Sequence, residues 1–224
     1  MTPEEKKLAL AIAAVSVGAL KANGQTVPPA TKDEENKLIA VLKSKAPRKE
    51  MTDACRQLSV IGTKDAVPVL AALLADEEHN HMARYALEPI ADAAVDGALR
   101  DALGKLKGRP LVGVIGSLGV RKDVQAVGPL TRLLQETDPD VVKVTARSLG
   151  RIATAEAAKA LQARLGTAPA ALRPFVADGC MACAERLLAQ GKKSEAAALY
   201  ALVAKADLLP HVRLGAEQGA ALAR

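Results

Sequence analysis

Tryptophan is absent from this 224-residue chain, phenylalanine occurs once (Phe175) and tyrosine twice (Tyr85, Tyr200). A deep core built on aromatic rings is thereby excluded. So is a platform of stacked rings, the usual means of holding single-stranded nucleic acid without sequence preference. Cysteine is scarce as well: Cys55, Cys180 and Cys183 are too few for a disulfide framework and do not fix the redox compartment. The one long apolar run, Leu8 to Leu20, has 13 residues and is too short to cross a bilayer comfortably, so no transmembrane span is expected in the mature chain.

What is present is mostly aliphatic and small. Half of the residues are hydrophobic, carried largely by Ala and Leu, both strong helix formers. Small side chains let helices approach closely, which favours a thin, layered helical core. The net charge of +6 is unevenly placed. Residues 1–108 hold 15 Lys/Arg against 15 Asp/Glu, and residues 109–224 hold 16 against 10, ten of the 16 being arginine. The excess in the second half suits an acidic partner, or is simply a solvated helical surface.

The N-terminus supports two readings. Lys6-Lys7, the apolar run and Ala22-Asn23-Gly24 resemble a signal peptide cleaved before Gln25. Export, to the periplasm or beyond, is then expected, with residues 25–33 as a linker. Thr2-Pro3-Glu4-Glu5 is instead a good helix start, with Thr as N-cap and Pro at the first position, and makes residues 1–24 a capping helix. Export is the preferred reading.

Internal repetition settles the fold class. One family of segments centres on Leu58, Leu87, Leu118, Leu149 and Leu187, and a second on Leu70, Leu99, Leu130, Leu161 and Leu199. Both are spaced 29, 31, 31 and 38 residues apart, and within every pair the offset is 12. The seven extra residues before Leu187 move both families together, so they are an insertion within one unit. Each unit reads as two helices and a turn. In Thr137-Asp138-Pro139-Asp140, Asp138 is the expected N-cap and Pro139 the first helical residue. Gly62, Gly104, Gly108, Gly166 and Gly191 fall where helices should end. The expected architecture is a right-handed, all-α solenoid of about six helix–turn–helix repeats over residues 34–224, each unit burying its apolar stripe against the next.

The stretch Asp138-Pro-Asp-Val-Val-Lys-Val-Thr-Ala146-Arg-Ser-Leu149-Gly150-Arg-Ile152 resembles the HEAT-repeat signature D-x-x-V-x-x-x-A-x-x-L-G-x-I. The short units resemble bacterial HEAT repeats of the kind found in phycobilisome-lyase-like proteins. Gly62 and Gly119 retain the glycine, whereas Glu88 replaces it in the second copy. The resemblance implies an armadillo-type binding scaffold and names no ligand.

Motifs that carry chemistry are sparse. Cys180-Met-Ala-Cys183 falls mid-helix, without the following His of a haem site or the further ligands of a zinc site, and reads as small core residues. His79-Asn80-His81 reads as a polar turn and helix start. Gly113, Gly116 and Gly119 read as helix-packing positions rather than a phosphate cradle. No P-loop, dinucleotide fingerprint, nucleophile elbow or zinc-protease motif occurs. No catalytic residue, metal or cofactor is therefore expected.

The arginines carry the functional expectation. HEAT-type stacks line their concave face with the second helix of each pair. Arg84, Arg121, Arg147 and Arg151 fall on such helices, and Arg147 and Arg151, four apart, share a face. They are the candidate contacts for an acidic peptide or protein, since guanidinium forks suit carboxylates. The competing reading pairs them with Asp123, Asp138 or Asp140 at the turns. A non-catalytic interaction scaffold is thus the leading expectation. Salt-sensitive backbone binding to nucleic acid, after the HEAT-like alkylpurine DNA glycosylases, is the alternative, weakened by the lack of Trp. A bilin-lyase-like enzyme is the third and rests on repeat type alone.

Overall fold

The computed structural model describes residues 21–22, 25–26, 32–44 and 46–223. The apolar run Leu8–Leu20 and the expected junction at Gly24 lie outside the described residues. Lys21–Ala22 and Gln25–Thr26 pair as a minimal antiparallel ladder. From residue 32 onward every regular element is helical.

Six helix pairs follow in order. They are α1 (Lys32–Lys43) with α2 (Arg48–Ile61), α3 (Val67–Ala72) with α4 (Asn80–Leu87), and α5 (Ala93–Leu103) with α6 (Gly108–Arg121). Then come α7 (Val127–Leu133) with α8 (Pro139–Ile152), α9 (Ala155–Thr167) with α10 (Arg173–Ala189), and α11 (Lys193–Lys205) with α12 (Pro210–Leu222). Odd-numbered helices form one layer and even-numbered helices the other. α1 begins at Lys32, inside the expected linker.

The ten repeat leucines explain why the stack holds. None is more than 1% exposed, and each plugs the seam between its own pair and the next. Burying one such side chain is worth about 1.5–3 kcal/mol, which no isolated pair could gain. Local signals set the boundaries. Asp138 accepts from the backbone N–H of Asp140 (2.9 Å) and caps α8 as its sequence suggests. Pro68 and Pro129 have no N–H to donate, and the chain enters α3 and α7 through short 3₁₀ turns, Lys64–Ala66 and Val124–Ala126. Among the expected terminating glycines, Gly191 adopts φ +77° after α10, and Lys192 N–H donates back to the Leu187 carbonyl at 2.9 Å. Gly108 and Gly166 differ from expectation: Gly108 opens α6 with φ +55°, and Gly166 lies within α9.

The insertion before Leu187 proves to be two added turns. α9 runs six residues past Leu161 where α7 runs three past Leu130, and α10 starts 14 before Leu187 where α8 starts 10 before Leu149. The intervening turn keeps its length. Extra residues that came in helical turns leave the register of both leucine families intact, as their common shift requires.

The even layer is packed more tightly than the odd one through the middle of the stack. Gly150 and Gly179 make this possible. A Cβ on Gly150 would stand 2.6 Å from the Gly179 carbonyl oxygen, and one on Gly179 would stand 2.6 Å from that of Ala146. A layer with shorter spacing lies on the inside of a bend, so the even-numbered helices face the concave side.

Candidate functional site: the exposed face of the even-numbered helices

Counting from the repeat leucine of each even helix, the places four and three before it point into the core. The places six before, two before and two after share the opposite face, since four residues make roughly one turn. On α8 this outer face is Lys143, Arg147 and Arg151, all exposed. Arg147 and Arg151 have no ion pair or hydrogen bond among the described residues. Lys143 lies over the Phe175 ring at 5.6 Å. On α4 and α6 the same places hold Tyr85 (51% exposed) and Val120 (47%), and on α2 Val60 (74%). Glu185 occupies the equivalent place on α10 and ends the basic strip. This face thus presents Tyr85, Val60 and Val120 with Lys143, Arg147 and Arg151, and Arg56 on α2, which pairs with Asp53 at 3.1 Å.

The four predicted arginines separate into three situations. Arg147 and Arg151 stand side by side on the open face. Arg121 is engaged within the chain: its guanidinium pairs with Asp96 and donates to the carbonyls of Glu88 and Ile90 at 2.8 Å and of Asp92 at 3.2 Å. None of the four pairs with Asp123, Asp138 or Asp140; Asp123 binds Arg100, and Asp138 caps α8.

Arg84 is the anomaly. It sits three before Leu87, where the other units hold Cys55, Ile115, Ala146 and Ala184, each 0% exposed. Its guanidinium lies flat over Gly113, where a Cβ would come within 2.5 Å of its central carbon. The contacts it makes are long: 3.4 Å to the Gly113 carbonyl and 3.4 Å to His81 Nδ1. Its Nε is sealed from solvent with no partner. Burial pulls its pKa below the ordinary arginine value, opposed by the Glu88 carboxylate. Glu88 stands where Gly119 and Gly150 stand in later repeats and accepts from Ser117 Oγ at 2.7 Å. This polar packing holds α4 and α6 less intimately than α6 and α8, and a cleft of about 980 Å³ opens between their starts.

The other sequence motifs are structural. Cys180 and Cys183 are buried on the side of α10 that meets α8, and burial pushes their thiols up to about 12 and about 11, away from the reactive thiolate. In His79-Asn80-His81, the backbone N–H groups of Glu78 and His79 donate to Asp76 Oδ1, His79 Nδ1 lies 2.9 Å from the same oxygen, and Asn80 donates to the Asp76 carbonyl at 2.8 Å. That is a polar turn at the head of α4, which leaves His79 Nε2 buried without a partner among the described residues. Gly119 packs against Ser148, while Gly116 meets only Val144 at 3.7 Å. Among the described residues no group of His, Cys, Asp and Glu is placed to hold a metal, and no helix is long and apolar enough to cross a membrane.

Sequence reasoning missed Tyr85, Val120 and Val60, although each lies two residues from a repeat leucine or its equivalent turn. It also missed the basic turn Lys105-Leu106-Lys107-Gly108-Arg109, whose signal is the run of alternating cations itself.

A two-layer stack of helix pairs with an open inner face defines an α-solenoid scaffold. Residues 111–177, the tightly packed middle of the stack, match the family described as HEAT repeats. That stretch therefore carries HEAT repeats, within a longer stack of similar helix pairs. Two crystal structures of engineered proteins from the Northeast Structural Genomics Consortium are similar in fold. One shares 20% identity over 86% of this chain and 97% of that chain (TM-score 0.50), and the other 20% over 85% and 58% (TM-score 0.51). The complex of CpcE and CpcF of phycocyanin lyase from Nostoc sp. PCC7120 shares 18% identity over 87% of this chain and 84% of that chain, at a TM-score of 0.45. No curated protein matches the chain.

Proposed function

We propose that this chain is a non-catalytic binding scaffold that takes an acidic, partly apolar segment of another protein along the outer face of α2–α8. The observation that carries the reading is the pair Arg147 and Arg151, exposed, one turn apart and without partners among the described residues. Tyr85 and Val120 on the adjoining helices supply apolar area that a charged peptide alone would not need. Arg121 is left out of the contact, because its guanidinium is engaged with Asp96 and three carbonyls.

The test is the double substitution Arg147→Ala/Arg151→Ala. Affinity for a partner identified by capture on the intact chain should fall about tenfold or more, since interface arginines are frequent hot spots. Stability should change by no more than about 0.5 kcal/mol, the usual range for exposed sites. A large loss of stability with unchanged affinity would remove the pair from the interface. Retention on DNA that disappears with salt, in place of a protein partner, would favour the nucleic-acid alternative.

A further inference from the structure

The cleft between α4 and α6 lies at the edge of the stack where the two helices begin, and the proposed partner face does not account for it. Its walls include Arg84, Lys105, Lys107, Arg109 and His81, against Glu77 as the one carboxylate. We infer that this cleft binds a phosphate monoester carried on an aliphatic group.

The strongest ground is Arg84. A half-buried cation at a place that four other repeats fill with a core residue gains nothing for the fold. An ionised group with a sealed, unpartnered nitrogen is a desolvation cost that packing alone would remove. The Arg84 Nε stays under the packing, but its terminal nitrogens make only 3.4 Å contacts to Gly113 and His81, and Arg84 lines the cleft, so an oxyanion there supplies them a closer acceptor. The second ground is the accumulation of charge: Lys105, Lys107 and Arg109 arrive on the turn that leads into α6, each exposed and without an ion pair among the described residues. The third is the α6 N-terminus. Gly108 opens the helix at φ +55°, a conformation that disfavours any side chain, and no side chain caps the first N–H groups. Gly108, Arg109 and Pro110 of this first turn line the cleft; Pro110 has no N–H, so Gly108 and Arg109 are the residues there whose N–H groups suit an oxyanion. One carboxylate would satisfy the Arg84 fork and leave the lysines and the helix end without acceptors. A dianion with three terminal oxygens suits the whole set better.

The carrier follows from the remaining wall. Ala75, Leu106 and Pro110 are aliphatic, and the cleft has no Phe, Tyr or Trp to favour a nucleobase, only the His81 imidazole among its cations. The volume, about 980 Å³, lies at the upper end for small-molecule sites and leaves room for a carrier of several heavy atoms.

Thermal shift and calorimetric titration of the full chain with inorganic phosphate, glycerol phosphate and adenosine monophosphate, with chloride adjusted to constant ionic strength, tests this. Phosphate and glycerol phosphate should raise the melting temperature saturably. Arg84→Met should raise the melting temperature of the ligand-free protein while weakening phosphate binding roughly tenfold or more, the loss expected for a charge-assisted hydrogen bond. Lys107→Glu, an exposed site, should weaken binding without altering the ligand-free melting temperature, which keeps the test decisive if Arg84→Met fails to fold. A phosphate effect no larger than that of chloride, or one retained in both variants, overturns the site. Adenosine monophosphate binding as tightly as glycerol phosphate overturns the aliphatic carrier. Arg147→Ala/Arg151→Ala should leave phosphate binding unchanged, so this inference and the partner-face reading fail separately.

Discussion

Cys55, Cys180 and Cys183 make the behaviour of single residues easy to check. All three are 0% exposed, and burial pushes their thiols from an ordinary 9.0 up to about 11, about 12 and about 11. A raised folded-state pKa means that the fold favours the neutral thiol. The unfolded chain loses those protons first as pH climbs past 9.0, so stability is present in full below that pH and falls between about 9 and about 11 for Cys55 and Cys183, and up to about 12 for Cys180. The slope approaches about 1.4 kcal/mol per pH unit for each thiol. Alkylation with iodoacetamide at pH 8 should leave the native protein unmodified for hours and add three groups in urea. Rapid native modification of Cys180 or Cys183 would mean a reactive pair, contrary to their placement. The core reading of Cys180 and Cys183 was available in the sequence, because their spacing puts both on one helix face and they fall well inside α10, which starts at Arg173. Arg84 was different: its type and register were legible, but not that its guanidinium would lie over Gly113 with one nitrogen sealed. That depends on how closely α6 approaches.

Helices and turns were largely legible because the repeat is written in leucines, caps and prolines, which act locally. Asp138 caps α8, and the two leucine families mark the two layers. What local rules could not supply was the pairing between distant elements. Arg121 looked like a concave-face cation because it lies three after Leu118. In the fold that place is the last turn of α6, beside the segment after α4, and its guanidinium joins Asp96 to the carbonyls of Glu88, Ile90 and Asp92. It ties three elements together. Arg121→Ala leaves Asp96 without its partner and three carbonyls without a donor, and should cost about 3 kcal/mol in urea denaturation. Adding Asp96→Ala should restore part of the loss, since removing both charges is cheaper than stranding one. A cost below about 0.5 kcal/mol for the single variant would return Arg121 to the list of partner contacts. The insertion in α9 and α10 teaches a related point. The seven extra residues expected within one unit fall in helices: three belong to α9 and four to α10, each close to a full turn.

At the scale of the whole molecule, six stacked pairs give a curved sheet of helices with its tight layer inward and its outward-facing side chains arranged by repeat position. The composition fits this shape: with scarcely any aromatic residue, small residues such as Gly150 and Gly179 set the inner spacing, and aliphatic leucines fill the seams. The same economy makes the exposed Tyr85 conspicuous. The central claim is that a protein partner lies along the even-numbered helices, and site-directed photocrosslinking tests it most directly. Benzoylphenylalanine would replace Tyr85 or Val120 on that face, and Arg132, exposed on α7 in the other layer, as the control. The account predicts crosslinks in cells to one discrete protein from positions 85 and 120, absent from 132 and lost when Arg147 and Arg151 are changed to Ala. Crosslinks arising from position 132 alone, or unaffected by the double substitution, would contradict it.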